Sequence, residues 1–231
     1  MKDMVREKKY IFSRGIAFYP EKEMLLLKKQ AEQGWHFRKI NRWGFLVFEK
    51  GQPEKKNFSV DFFDGSSDEL SEYLVIYKQA GWENIGSHKK KYYFFKADCT
   101  TPTIYSDPES YWLRMKKEWL WLLKCYLIYF PLGVACLGLL ILTKATKNPL
   151  LANVAVRVIL TFFGMFFAAL PLGVVVSVLF SLVIYKDRIN YYNQPERFAH
   201  RQKVLRDSLF LGGIGFFLGI IISLISGYSF F

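Results

Sequence analysis

The sequence AEQGWHFRKINRWGFLVFEKG, residues 31–51, is the best guide to the fold, because a related sequence follows it at a constant spacing. That second stretch is KQAGWENIGSHKKKYYFFKAD, residues 78–98. When the sequence is shifted by 47 positions, the Gly-Trp pair at 34–35 falls on the Gly-Trp pair at 81–82. The two stretches therefore indicate an internal repeat.

The alignment continues on both sides of the Gly-Trp pairs. The apolar run at 45–48 falls on the aromatic run at 92–95 without a gap. Upstream, the strand-like KKYIF at 8–12 falls near KNFSV at 56–60. Each half therefore predicts the order strand, helix, strand, strand.

The predicted helix of each half has an apolar stripe at helical spacing. The stripe of the second copy is the more complete, and the members of the two stripes are Met24, Leu27 and Ala31, and Leu70, Tyr73, Leu74 and Tyr77. Gly34 and Gly81 follow these helices at the position where a helix commonly ends in the left-handed conformation. We expect each following tryptophan to fold back over the last turn.

Two such units can pair about a pseudo-twofold axis. The predicted fold class is therefore an α+β domain with one antiparallel sheet, both helices on one face and a groove along the other. Effector-binding domains of drug-sensing regulators have such duplicated folds and bind hydrophobic ligands in the groove, although a fold does not fix a function. Six aromatic residues are the candidate ligand or partner surface: Trp35, Trp43, Phe45, Trp82, Tyr92 and Phe94.

The remaining chain is typical of a membrane protein. The sequence is 52% hydrophobic and 18% aromatic, yet it has a formal net charge of +12. Stretches of about 20 apolar residues suffice to cross a bilayer. Three stretches qualify and are predicted to be transmembrane helices: Trp119–Leu142, Val158–Tyr185 and Ser208–Phe231. The charged first 30 residues do not resemble a signal peptide.

Proline and glycine recur within these spans. The sequence PLGV occurs at 131–134 and at 171–174. Broken helices can serve a transporter, but the apolar parts of the three spans contain no Asp, Glu, Lys, Arg or His, which favours a helix-packed anchor. Small residues spaced four apart, typical of close helix packing, are Gly164 with Ala168 and Gly215 with Gly219.

The flanking charges predict the orientation. The approach to the first span has three basic residues and the 186–207 loop has six, against three between the first two spans. The positive-inside rule then places the N-terminus in the cytoplasm and the C-terminus outside the cell membrane. The predicted domains are a cytoplasmic domain at 1–102, an amphipathic helical connector at 103–118 and a three-helix membrane domain at 119–231.

The connector begins with a helix-start signal. Asp107 can cap a helix, Pro108 suits its first position, and Glu109 favours the positive end of the helix dipole. The apolar pattern continues to Leu142, so we expect one helix of roughly 50 Å.

No catalytic or metal-binding pattern is present in the sequence. The three cysteines have no CxxC spacing, the three histidines are far apart, and no phosphate-binding or nucleophile motif occurs. We therefore predict no cofactor, no metal and no enzymatic activity. Enzymatic activity would require a cleft in which acid-base groups such as Asp61, Asp64 and His88 lie close together.

The segment SHKKKYYFF, residues 87–95, is the best candidate for binding nucleic acid, since basic residues precede aromatic ones. However, Lys89–Lys91 occupies the position of a turn between two strands. Residues 1–98 contain 19 basic and 14 acidic residues, a net charge of only +5. This excess suits an exposed turn or an anionic membrane surface better than DNA.

Four segments together resemble a family of Gram-positive bacterial membrane proteins known as domain of unknown function 2812. They are residues 31–51, FSVDFFDG at 58–65, YKQAGWENIGSHKKKYYFFKAD at 77–98 and PTIYSDPESY at 102–111. The resemblance implies a cytoplasmic domain joined to membrane helices, often encoded beside a PadR-type transcriptional repressor. It implies no activity and no site residue.

Two functions fit these patterns. The first is a membrane-anchored sensor or regulatory module whose cytoplasmic domain binds a protein, for example a PadR-type repressor, or a small hydrophobic ligand. The second is a non-catalytic accessory subunit of a membrane transport or efflux complex. Besides the lipid bilayer, the candidate partners are a transcriptional regulator, a membrane-complex subunit or a second copy of the chain.

Overall fold

The computed structural model describes residues 7–145 and 153–225. The chain divides into two compact units. The α/β unit comprises the described part of Met1–Lys117 together with Asp187–Leu205. The helical unit comprises the described parts of Glu118–Lys186 and Arg206–Phe231.

The α/β unit has the same element order in each half. The first half consists of β1 (Lys8–Phe12), α1 (Pro20–Glu32), β2 (Trp35–Ile40) and β3 (Phe45–Lys50). The second half consists of β4 (Asn57–Phe62), α2 (Leu70–Gln79), β5 (Glu83–His88) and β6 (Tyr92–Ala97). The order of elements agrees with the strand, helix, strand, strand order predicted for each half.

The six strands form two antiparallel sheets of three strands. Their strand orders are β1-β3-β2 and β4-β6-β5. The prediction of one sheet with both helices on one face was therefore wrong. The strands β2 and β5 approach each other, but each contains a register shift, between Phe37 and Lys39 and between Asn84 and Gly86. Such bulges bend a strand and interrupt regular pairing, which explains why the ladder does not continue from β2 to β5.

The central strands carry the core. Phe48 in β3 and Phe95 in β6, which are related by the 47-residue shift, are both fully buried. Phe95 packs with Trp82 and Tyr93 against the apolar side of α2. Neighbouring residues of a strand point to opposite faces, and Phe94 accordingly contacts Phe37 of β2 at 4.7 Å between ring centroids. The second sheet is thus buried on both faces along β6.

The predicted helix ends are confirmed. Gly34 and Gly81 have φ angles of +79° and +86°. After α2, the amide of Trp82 donates to the carbonyl of Tyr77 at 2.9 Å, and the amide of Gly81 donates to that of Lys78 at 3.0 Å. These are the two bonds of a Schellman motif.

The predicted turn before β6 is confirmed as well. Lys89 and Lys90 have φ angles of +55° and +54°, and this pair of left-handed residues is typical of the tight hairpin turn that joins twisted strands. Lys89–Lys91 therefore forms the turn between β5 and β6.

Segments outside the two halves complete the α/β unit. They are the start of α3 (Pro108–Leu127), most of a 3-10 helix (Lys186–Tyr191) and α6 (Pro195–Arg201). Asp107 accepts a hydrogen bond from the amide of Ser110 at 2.7 Å, which confirms the predicted cap of α3. Helix α6 packs against α1, so residues far apart in the sequence meet in one compact body.

The helical unit contains α4 (Phe130–Ala145), α5 (Val154–Ile184) and α7 (Val204–Ile225) in addition to the end of α3. The prediction of a single helix from Asp107 to Leu142 was wrong, since α3 ends at Leu127. Pro131 explains the break, because proline has no amide donor and is tolerated in the first turn of a helix. Pro171, in the second PLGV, instead lies inside the continuous α5.

Small residues bring α4 and α5 close together. A Cβ atom placed on Gly133 would lie 2.6 Å from the backbone nitrogen of Ala168. One placed on Gly164 would lie 2.8 Å from the side chain of Leu137. Tyr129 stacks on Phe167 with 5.9 Å between ring centroids. Bulkier residues at either glycine would therefore separate the two helices.

Two helical stretches of the described chain are long and apolar enough to cross a membrane, which favours membrane association. They are Pro108–Leu140, which includes the two-residue turn between α3 and α4, and Val154–Ile184. The predicted third span, Ser208–Phe231, extends beyond the described residues. Within α7, no described atom outside the helix backbone and neighbouring residues lies within 4 Å of a Cβ placed on Gly215 or Gly219.

Candidate functional site

A cavity of about 310 Å³ lies within the α/β unit. Its walls come from α1, β4, residues 101–105, the first turns of α3 and residues 191–197. Apolar side chains predominate, among them Met24, Leu25, Phe58, Trp82, Tyr105 and Tyr191. The volume and the apolar lining are those of a pocket for a small ligand.

The start of α1 places charged residues beside this cavity. Pro20 occupies the first turn, where its missing amide donor has no cost. Glu21 and Glu23 follow it and are both buried, at the helix end that favours negative charge. Burial raises the pKa of Glu23, against the hydrogen bonds that its carboxylate accepts from Ser13 and from the amide of Arg14.

Glu21 joins three parts of the α/β unit in a buried cluster, here called the Glu21 cluster. Nε of Arg188 donates to Glu21 at 2.7 Å, Nε2 of Gln202 donates to it at 3.0 Å, and the hydroxyl of Tyr111 also donates to it. Arg188 is only 2% exposed. Burial lowers its pKa, but Glu21 and Tyr111 outweigh this effect and the net shift is upward. The cluster therefore holds a charged pair in the interior.

Lysines on α1 bind α6. Nζ of Lys22 donates to the carbonyl of Ala199 at 2.9 Å and to that of Gln202 at 3.0 Å. Carbonyls at a helix C-terminus attract cations, so Lys22 fits this end of α6. Near the other end of α6, Lys28 forms an ion pair with Glu196.

A second buried cluster, here called the Asp61 cluster, fixes the other half. The carboxylate of Asp61 accepts hydrogen bonds from the hydroxyls of Tyr73 at 2.9 Å, Tyr77 at 2.6 Å and Tyr105. Nε of Arg114 lies 3.9 Å from the same carboxylate. Burial, followed by the charge of Asp61, raises the pKa of the three tyrosines well above the ordinary value. The tyrosines therefore remain protonated donors.

The groups considered for acid-base chemistry are not assembled in one cleft. Asp61 pairs with Tyr93 of β6, whereas His88 pairs with the adjacent Tyr92, so the two side chains leave opposite faces of the sheet. Asp64 is exposed. The arrangement of Asp61 suits holding three tyrosines in place, and it provides no acid-base pair with His88.

The six aromatic residues predicted as a ligand or partner surface lie in separate places. Trp82 lines the cavity and donates its Nε1 hydrogen to the carbonyl of Pro102 at 3.1 Å. Tyr92 and Phe94 are buried in the second sheet. Trp35 lies beneath Lys50, whose Nζ is 4.6 Å from the ring centroid.

The remaining two, Trp43 and Phe45, are exposed near the turn between β2 and β3. The structure thus brings these two together and leaves the other four elsewhere. Glu21, Tyr111 and Arg188 were not among the predicted site residues. The basic 186–207 segment indicated only membrane orientation, and no spacing connects residues about 167 positions apart, as Glu21 and Arg188 are.

Within residues 7–145 and 153–225, no group of three or more His, Cys, Asp or Glu side chains could hold a metal ion. Four of the five charged residues that line the cavity have partners of opposite charge. The pairs are Glu21 with Arg188, Lys28 with Glu196, and Arg114 with Asp61. The geometry therefore suits binding of a mainly apolar molecule.

Residues 19–129 match the model of a protein family of unknown function, DUF2812. This part of the chain is therefore similar to a DUF2812 domain. The match begins one residue before α1 and ends beyond α3, so the DUF2812 region includes Glu21, Asp61 and Tyr111 but not Arg188. No curated protein and no solved structure matches the chain.

Proposed function

We propose that the protein is a membrane-anchored sensor whose α/β unit lies in the cytoplasm and binds a small apolar ligand in the cavity. In this proposal three transmembrane helices anchor the unit, with the C-terminus outside the cell. A PadR-type transcriptional regulator, suggested by the family resemblance, would be the partner that responds to the bound state.

The observation that carries the proposal is the composition of the cavity wall. One side is formed by α1 and β4, and another by residues 191–197. These residues belong to the segment that connects α5 to α7. A ligand in the cavity would therefore contact the folded sheets and the link between two apolar helices at the same time.

Through the Glu21 cluster and Lys22, binding in the cavity would also affect how residues 187–205 are held on α1. The cluster and Lys22 hold the 3-10 helix and α6 against α1 through buried charge and hydrogen bonds. A ligand that packs against Leu25 and Tyr191 would add to the stability of the docked segment. Binding would thus favour the state in which residues 187–205 are held on α1.

The chemistry of the wall limits the ligand. Met24, Leu25 and Phe58 provide apolar surface, while Asn57, Ser59 and Thr103 provide neutral hydrogen-bonding groups. A small aromatic molecule with one polar group meets both requirements, and 2-naphthol is a suitable probe of this class.

The test uses titration calorimetry of 2-naphthol with the full chain in lipid nanodiscs. Leu25→Trp places bulk in the cavity, and Leu26→Trp, one residue further on α1 and outside the cavity lining, is the matched control. Heat from partition of the probe into lipid is common to all samples and is subtracted with empty nanodiscs. Binding to the wild type and to the control, with loss in Leu25→Trp, supports a ligand cavity. Equal heats for wild type and Leu25→Trp would refute it.

A specific observation favours the second function, an accessory subunit of a membrane complex. Among the described atoms, none packs beside Gly215 or Gly219, whereas Gly133 and Gly164 are covered by neighbours. A partner helix could approach α7 along this glycine face. Replacing Gly215 and Gly219 by leucine should then abolish complex assembly in cross-linking experiments, while 2-naphthol binding should persist.

A further inference from the structure

Exposed aromatic and basic side chains lie together at one corner of the first sheet. This aromatic-basic tip is defined as Phe12, Arg14, Arg42, Trp43 and Phe45. Trp43 is 71% exposed and Phe12 is 66% exposed, although both are large and apolar. Single exposed apolar residues are common, but large ones grouped in one patch mark an interaction site.

The fold brings the tip together from two segments. Phe12 at the end of β1 contacts Phe45 at the start of β3, with 5.4 Å between ring centroids. The amide of Ser13 donates to the carbonyl of Gly44 at 2.9 Å, which places Arg14 beside the turn between β2 and β3. The guanidinium of Arg42 lies 5.7 Å from the ring of Trp43. The tip is therefore a preformed surface.

The exposed charges of the tip, those of Arg14 and Arg42, have one sign. Residues 8–20 and 33–48, which supply the tip, contain no Asp or Glu. The carboxylate of Glu23 lies beside Arg14 but is fully buried, where it accepts hydrogen bonds from Ser13 and from the amide of Arg14. The polar groove between β2 and β5 is different, since its charges are balanced in pairs such as Arg38 with Glu49 and Lys96 with Glu83. The tip thus favours an anionic partner, and the groove does not.

We propose that the aromatic-basic tip binds the anionic headgroup surface of a lipid bilayer. Trp and Phe side chains favour the boundary between headgroups and acyl chains. Lys and Arg side chains near an anionic leaflet are each attracted to it. The apolar helices of the same chain favour a bilayer within reach of the tip, which supports lipid over a soluble acidic protein as the occupant.

The experiment measures quenching of Trp43 fluorescence by brominated lipid. Full-length protein is reconstituted into vesicles of neutral phosphatidylcholine alone or with anionic phosphatidylglycerol, with bromine near the headgroup end of the acyl chains. The difference between wild type and Trp43→Phe isolates the signal of Trp43 from that of the other tryptophans. Arg42→Gln tests the charge, and Lys78→Gln, an exposed lysine on α2, is the matched control.

Quenching of Trp43 is expected in anionic vesicles only and should decrease with added salt. Arg42→Gln should weaken docking about fivefold, the effect of one basic residue at an anionic surface, while Lys78→Gln should leave it unchanged. Absence of quenching, or equal quenching in neutral and anionic vesicles, would overturn the proposal. Quenching that rises with protein density at constant lipid composition would also overturn it, because it would indicate contact between copies of the chain.

Discussion

The two halves of the α/β unit share one order of elements but bury their helices differently. Helix α1 buries two glutamates, Glu21 and Glu23, beside apolar residues such as Leu27. Helix α2 has no fully buried residue and covers its sheet with half-buried side chains, including Tyr73 and Tyr77. The first half is thus joined to the distant 187–205 segment by charge, and the second is closed by aromatic packing.

The same order of elements therefore supports two different sets of long-range contacts. The Asp61 cluster involves β4, α2, the 103–105 segment and the start of α3, so it stabilises the second half and its C-terminal extension. The Glu21 cluster reaches the link between α5 and α7. Under the proposed function, ligand binding would therefore act on residues 187–205 through the first half.

The largest expected effect comes from breaking the Glu21 cluster. Arg188→Ala leaves the carboxylate of Glu21 buried without its cation, and removal of one partner of a buried ion pair costs about 3–5 kcal/mol. Hydrogen exchange of the full chain should show loss of protection in α6 and at the start of α1. The double variant Glu21→Leu with Arg188→Met removes both charges and should recover most of the loss. Equal protection in wild type and Arg188→Ala would contradict the cluster.

The next effect breaks the other half. Asp61→Asn removes the carboxylate that accepts hydrogen bonds from the hydroxyls of three tyrosines, Tyr73, Tyr77 and Tyr105. The expected loss in the free energy of unfolding is about 1–3 kcal/mol. The measurement is the same hydrogen exchange, now in β6, with the exposed Asp64→Asn as control. Protection should fall in β6 more than in α6. A larger loss of protection in α6 than in β6 would contradict the assignment of the Asp61 cluster to the second half.

A smaller effect sharpens the comparison at α6. Lys22→Met keeps the length of the side chain but removes the donor to the carbonyls of Ala199 and Gln202. The expected cost is about 1 kcal/mol, visible as faster exchange at the end of α6. Lys29→Met, an exposed lysine on the same helix, is the matched control. Identical exchange in both variants would refute the docking role of Lys22.

The smallest effect is a dependence on pH from the first half alone. Because burial raises the pKa of Glu23 above its ordinary value of 4.5, the folded state binds the proton more tightly than the unfolded state. The stability that protonation of Glu23 adds to the folded state is fully present below pH 4.5 and is lost as the pH rises through the folded pKa of Glu23. Thermal unfolding of Glu23→Gln should show a flatter pH profile than wild type, while the exposed Glu32→Gln should match wild type.

Much of the local structure could be predicted from the sequence, because short-range patterns determine it. The spacing of Leu70 and Tyr77 gave the apolar side of α2, and Gly34 and Gly81 marked the helix ends. The break before Pro131 was missed, since the apolar pattern runs through it and proline is also compatible with a continuous helix, as Pro171 shows.

The candidate site could not be predicted, because its contacts are long-range. Burial of Glu21 depends on Arg188, and a sequence shows both only as charged residues that are usually exposed. The two-sheet arrangement depends on bulges in β2 and β5, which local residue preferences do not reveal. The aromatic-basic tip was predicted in part, because two of its five residues, Trp43 and Phe45, were among the predicted surface residues.

The most direct test of the account is hydrogen exchange of residues 191–202 in full-length protein in nanodiscs, with and without 2-naphthol. If the cavity and this segment are coupled, 2-naphthol increases the protection of these amides in wild type and in Leu26→Trp, and it leaves Leu25→Trp unchanged. Calorimetric binding of the probe without any change in this segment would contradict the claim that the cavity and the link between α5 and α7 act together.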